Sequence, residues 1–345
     1  MLKRTSLAVG VAIVLGTIAG MAGAAETLKP LGRTDLAGYD GDFDHFGMDL
    51  KGNRLFLAGE DGGTLEVFNL RTGAHVKTIK DMDSPHAIYF DARNNRLTIS
   101  NSGDSLSHVL DARTYALKDT IRIAPGADVM SYDPSTNRLW FVTGGKNATA
   151  KQPKVTLTQV DASTGKPVGE NIQFDTDFTE GIVAEQKGSR AFVNVAGLSE
   201  VAVLDKKTGK QLAVWPVKEG QNPSQIDLDE AHKRLFVITR KPFKLVVIDT
   251  DTGASVASFD APDRTNGMMF DKANHRIYAA GDDYIGVFRQ IDADHYEELA
   301  HVPSEKGAKT AFLVPELKLL YVAVGGSATA KAGLLRYEVV QDSSR

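Results

Sequence analysis

The sequence predicts an all-β chain: a seven-bladed β-propeller of four-stranded antiparallel blades, closed by an N-terminal strand that pairs with the C-terminal blade. Three observations carry this expectation. A strand–turn–strand pattern recurs seven times, a hairpin signature follows it in most units, and no 3.6-residue apolar period survives beyond residue 25.

Each repeat is anchored by a residue, Arg in six units, that opens an apolar strand. The anchors read Arg54-Leu-Phe-Leu, Arg96-Leu-Thr-Ile, Arg138-Leu-Trp-Phe, Arg190-Ala-Phe-Val, Arg234-Leu-Phe-Val, Arg276-Ile-Tyr-Ala and Leu319-Leu-Tyr-Val. They are spaced by 42, 42, 52, 44, 42 and 43 residues, and the insertion Gly144–Pro153 fills the long interval. Units of this length without helical periodicity hold four short strands, the size of a propeller blade.

A third strand then leads to a hairpin. The hairpins read Asn69-Leu-Arg-Thr-Gly, Asp111-Ala-Arg-Thr-Tyr, Asp161-Ala-Ser-Thr-Gly, Asp205-Lys-Lys-Thr-Gly, Asp249-Thr-Asp-Thr-Gly and, in unit six, Asp292-Ala-Asp-His-Tyr. The Asp side chain caps the turn and the Gly accepts positive φ. Fourth strands follow, such as Leu117–Ile123 and Val256–Phe259. Unit seven, from about Lys309 to Val340, has only three strands, and Leu28–Leu36 is free to supply the fourth and cover the open seam. The propeller is thus expected as one domain over residues 26–345, with monomer as the default state. The repeated Arg should bond hairpin carbonyls or a carboxylate such as Asp91. The aromatic row Phe56, Trp140, Phe192, Phe236, Tyr278 and Tyr321 should fill the space between blades.

Residues 1–25 read as a cleaved signal peptide. Lys3 and Arg4 are the positive region, Leu7 to Met21 the apolar region, and Ala22-Gly23-Ala24 the small-residue cleavage site. The expected location is the periplasm, with no membrane span left after cleavage. Removing residues 1–25 leaves 38 basic against 44 acidic side chains, a charge of −6 that disfavours nucleic-acid partners. The absence of cysteine excludes a thiol nucleophile, an iron–sulfur cluster, c-type haem and disulfides. There is no Gly-x-Ser-x-Gly elbow and no His-Glu-x-x-His pair, so serine or zincin hydrolysis has no sequence support.

The candidate site comes from aligning the units. Ten residues before each anchor stand Asp44, His86, Asp128, Glu180, Ser224, Asn266 and Lys309, all polar. Two places further on stand Phe46, Ile88, Met130, Ile182, Ile226, Met268 and Ala311, all apolar. Alternation on an inner strand turns both rows to the central channel, polar at its mouth and apolar below. The polar row is the expected ligand site. Asp44, His86, Asp128 and Glu180 form an acidic arc with one imidazole, suited to Ca²⁺ or, through the nitrogen, to Zn²⁺ or Mn²⁺. Lys309 is expected beside Asp44, and His45 should point the opposite way. The loops holding Glu60, Asp61, Asn101, Asp104, Arg240, Lys241, Asp282 and Asp283 share this face and read as solvated rim. Gly144–Lys154, with Lys146, Lys151 and Lys154, reads as an untethered loop. Gly325–Lys331 precedes no helix and so is no phosphate loop.

The stretch Asp111–Gly144, DARTYALKDTIRIAPGADVMSYDPSTNRLWFVTG, together with Arg234-Leu-Phe-Val-Ile-Thr and Leu245–Thr252, resembles the bacterial YVTN-repeat propellers of the YncE-like kind. The resemblance spans about residues 28–340, with the tetrapeptide degenerate at Phe141-Val-Thr-Gly and Phe192-Val-Asn-Val. It implies the fold, and it implies a function among binding proteins, lactonases and quinoprotein-related subunits. The expected function is a non-catalytic platform binding a small ligand or periplasmic protein at the channel mouth. The alternative is a divalent-metal lactonase-like hydrolase. Metal-type propeller lactonases use a Glu, an Asn and an Asp on separate blades, a set that Glu180, Asn266 and Asp44 could mimic. Trp140 and Trp215 are too few for the tryptophan-docked quinoprotein pattern.

Overall fold

The computed structural model describes residues 26–341 except 104, 145–147, 149 and 329. The signal-peptide segment, Asp104 and Lys146 therefore lie outside the described residues. Seven antiparallel sheets of four strands each are arranged as a seven-bladed β-propeller. Blade 1 runs Phe46–Asp49, Arg54–Gly59, Thr64–Asn69 and His75–Ile79 from the axis outward. The inner strands of blades 2 to 7 are Pro85–Asp91, Ala127–Asp133, Ile182–Ala184, Ile226–Asp229, Gly267–Asp271 and Thr310–Val314. Two single 3₁₀ turns, Ala196–Leu198 and Pro315–Leu317, are the helical elements of the described residues, and none of these is long and apolar enough to cross a membrane.

The ring closes as expected. Leu28–Asp35 is the outermost strand of blade 7 and pairs antiparallel with Gly333–Val339, Leu28 opposite Val339 and Asp35 opposite Gly333. Gly32 sits at a register shift in this strand with φ near +134°, a conformation few side chains adopt.

Hairpin chemistry repeats blade by blade. The Asp205 carboxylate accepts the backbone N–H of Lys207 and Thr208, and Gly209 follows at φ +72°. Asp161 and Asp249 do the same, and Asn69 uses its side-chain carbonyl. In blade 2, Tyr115 takes the glycine position at φ +63°, and the Arg54 guanidinium lies over its ring.

Five of the six repeated Arg bind hairpin carbonyls, those of the next blade, and Arg276 binds the end of the third strand of blade 7. Arg54 reaches Ala112 O, Arg96 reaches Ser163 O, Arg138 reaches Lys207 O and Arg190 reaches Thr250 O. Arg234 bonds Ala293 O at 2.8 Å, and Arg276 bonds Val340 O at 2.6 Å. Blade 7 has Leu319 at the anchor, and there Tyr321 takes over, donating its hydroxyl to Leu70 O of blade 1. Each sheet is thus clipped to its neighbour around the ring. The apolar clusters likewise bridge blades: Phe56 of blade 1 packs with Ile88, Leu97 and Ile99 of blade 2. All six residues of the aromatic row are fully buried, as the sequence implied.

Candidate functional site

The backbone entering each inner strand delivers one residue to the channel mouth. Asp44, His86, Asp128, Glu180, Asn266 and Lys309 line one cavity of about 340 Å³. Ser224 is the exception. It is fully buried, and its hydroxyl turns away to Ile238 O at 3.3 Å while its carbonyl accepts Asn194 Nδ2. It serves the wall between blades 4 and 5 instead of the mouth. A second space of about 200 Å³ is lined by Phe46, Ile88, Met130, Met268 and Ala311 of the apolar row, and it shares His45 and Asn266 with the mouth.

The centre is a buried imidazole between carboxylates. His86 Nδ1 lies 2.6 Å from Asp44 Oδ2 and 3.4 Å from Asp128 Oδ1. Asn266 Nδ2 donates to the other Asp44 oxygen at 3.0 Å. His86 Nε2 has no hydrogen-bond partner although the residue is only 3% exposed, and Glu60 Oε1 faces it at 4.0 Å. The electrostatics follow from that packing. Burial pushes His86 down, but the bond to Asp44 and the charges of Asp44, Asp128 and Glu60 lift it to about 10. Burial would raise Asp44, and the His45 ring, His86 and Asn266 outweigh it, holding that carboxyl below the usual range. Burial raises Asp128 against the pull of His86, with the Asp44 charge adding to the rise. Glu60 is pushed up to about 7, by burial first and then by Asp44.

Three sequence expectations change here. His45 does not point away: it lines the cavity with Nε2 3.7 Å from Asp44 Oδ1. Residues 44 and 45 precede the Phe46–Asp49 ladder, so strict alternation does not govern them. Lys309 pairs with Asp42 at 2.6 Å, not with Asp44, and Arg264 reaches the same carboxylate at 3.3 Å. The acidic arc is also not purely acidic, because Arg240 Nη1 lies 2.8 Å from Glu180 Oε1.

Two of the loops read as solvated rim contribute to the site. Glu60 and Arg240 both line the mouth, as do Phe243 and Arg264. Their positions after second strands or before inner strands place them on this face. The sequence holds no signal that their side chains turn inward. In the insertion, Lys154 pairs with Asp175 at 2.6 Å and is not part of the mouth lining.

The fold and its mouth define a seven-bladed β-propeller with a polar pocket on the channel axis. No family model matches the chain, and no curated protein matches it. Among solved structures it is similar to a chain of Kuenenia stuttgartiensis hydrazine synthase, at 15% identity and TM-score 0.70 over 87% of this chain and 97% of that one. It is equally similar to a chain of a mitotic checkpoint complex crystal structure, at 13% identity and TM-score 0.71 over 99% and 100%. At such identities the likeness is one of fold alone.

Proposed function

We propose that this chain is an exported, periplasmic, non-catalytic binding protein, YncE-like in kind, that holds a small ligand or a protein partner on its channel-mouth face. One observation carries the reading. Six of the seven blades deliver a polar side chain to a single cavity, and a buried imidazole there has one ring nitrogen without a partner. Convergent polar groups over an apolar chamber are the ordinary form of a ligand site. The disc is rigid enough to keep it preformed, since every blade is clipped to the next. Export is supported by the charged, apolar and small-residue order of residues 3–24.

The experiment is thermal unfolding of the purified protein against a panel of small polar ligands and divalent cations, beside Asp128→Ala and Glu180→Ala. Whatever binds only the native state raises its apparent stability. A ligand-specific rise lost in both variants supports the mouth as the site. A rise that both variants retain moves the site elsewhere, and no rise with any ligand or cation overturns the reading. Osmotic-shock fractionation with N-terminal sequencing tests export: a full-length chain retained in the cytoplasm overturns it.

One observation favours the second reading, a divalent-metal lactonase-like hydrolase. Ligating atoms of Asp44, Glu60 and His86 lie within 4.8 Å of one another, as do those of Asp44, His45 and Asp128. The Glu180, Asn266 and Asp44 set is less suited to that role. Glu180 is bonded to Arg240, and Asn266 to Asp44.

A further inference from the structure

We propose that the channel mouth holds a divalent first-row ion of the zinc class between His86 Nε2 and the Glu60 carboxylate, with Asp44 and Asp128 orienting the imidazole from its far side. The proposal rests on the reading of the mouth as a binding site, and it names that site's first ligand.

The argument starts from the imidazole. Its two nitrogens diverge, so groups bonded at Nδ1 cannot share an ion with Nε2. Asp44 at 2.6 Å and Asp128 at 3.4 Å both sit on the Nδ1 side. They fix the ring and make it a stronger donor, as the carboxylate behind a metal-bound histidine does. Nε2 is then the only nitrogen left to ligate. It is buried and unpartnered, on a residue that lines the mouth beside Glu60.

Across from it, the Glu60 carboxylate makes no side-chain hydrogen bond among the described residues, and it stands 4.0 Å away. An ion bonded to both needs about 2.0–2.1 Å to nitrogen and about 2.0–2.2 Å to oxygen. The gap is therefore that of two coordinate bonds in a wide angle. The Glu60 side chain is 32% exposed, and a rotation inward on ion binding would narrow that angle. The remaining coordination positions open into the cavity, where water or a ligand oxygen completes the shell. Nitrogen in the set favours Zn²⁺ over Ca²⁺, which takes oxygen. The ion replaces the Nε2 proton, which leaves to solvent. This assignment differs from the set expected from sequence. Glu60 enters, Glu180 stays with Arg240, and Asp44 and Asp128 become positioning residues.

The test uses the purified protein, stripped with EDTA and returned to chelator-free buffer. Zn²⁺ is titrated by calorimetry and Co²⁺ by its visible absorption. The expected result is one equivalent bound with a nitrogen–oxygen Co²⁺ spectrum. Glu60→Gln should weaken binding more than tenfold with its melting temperature in EDTA unchanged, which separates ligation from folding. Asp128→Asn should weaken it about 10–100-fold, the effect of losing an orienting carboxylate. Asp260→Asn, at an exposed outer strand, should bind as wild type. Absence of binding overturns the proposal. So does Zn²⁺ bound equally by wild type, Glu60→Gln and Asp260→Asn, which means an adventitious ion only. A small-ligand shift that persists in EDTA while Zn²⁺ fails overturns the ion and leaves the binding platform standing.

Discussion

His86 and Asp44, from adjacent blades, form a buried pair at 2.6 Å on the propeller axis. The pair joins blade 1 to blade 2 at the channel mouth, beside the backbone bond from His45 N–H to His86 O at 3.2 Å. Removing Asp44 takes from the buried imidazole its closest counter-charge and leaves it only the more distant Asp128, at 3.4 Å. Asp44→Ala should therefore cost about 3–5 kcal/mol. Urea unfolding measures it, and a midpoint within error of wild type would show that the pair contributes nothing to stability.

The same packing sets the response to pH. A histidine whose folded value is raised gives stability that is fully present below its unfolded value of about 6.5. That contribution is lost as pH rises through about 10. Asp44, Asp161, Asp205 and Asp249 are shifted the other way, so their contribution is present above about pH 4 and is lost on acidification. The melting temperature, measured in EDTA, should peak on the acid side of neutrality, falling on acidification and already falling across neutrality toward about pH 10. His86→Gln should flatten the alkaline limb alone; an alkaline limb unchanged in that variant assigns it to another group.

Arg234 tests the clips. Its guanidinium reaches Asp249 at 2.5 Å, Asp294 at 2.6 Å and Ala293 O at 2.8 Å. Arg234→Ala should destabilise by about 1.5–3 kcal/mol, the range for hydrogen bonds to charged groups. Arg234→Lys should recover little, since a point charge cannot span the three acceptors. Equal stability of the Lys variant and wild type would reduce the clip to plain charge.

Gly32 isolates a backbone effect. No atom lies within 4 Å of where a Cβ would stand, yet φ is near +134°. Gly32→Ala should still cost about 1–3 kcal/mol through conformation alone. Differential scanning calorimetry reads this directly, and an unshifted transition would mean that the strand relaxes at no cost.

Much of this architecture was legible because the repeat is local. The hairpin Asp or Asn, followed by Gly in four units, encodes the turn within five residues, and the anchor Arg marks the second strand of six blades. The polar row was legible for the same reason, one residue per unit at a fixed offset. What stayed hidden depends on neighbours distant in sequence. Ser224 occupies the right offset, but its hydroxyl finds Ile238 O before it finds the channel. Arg240 lies 60 residues from Glu180 and so reads as an ordinary rim residue until the blades are stacked. Glu60 stands six residues after its anchor, as Arg240 does, but no single residue type marks that offset. His45 breaks the alternation because the strand that would impose it begins one residue later.

The seal between Leu28 and Val339 also fixes an order of events. The first strand made is the last to find its partner, because that partner is nearly the whole chain away. Inner and middle strands of successive blades can form as they emerge, each from contacts close in sequence. The seam cannot, and closing so long a loop is where the entropic cost concentrates. Until then Gly333–Val339 presents an unpaired edge, and the nascent disc is open to pairing with another chain. The slow, concentration-sensitive step of refolding should be this ring closure.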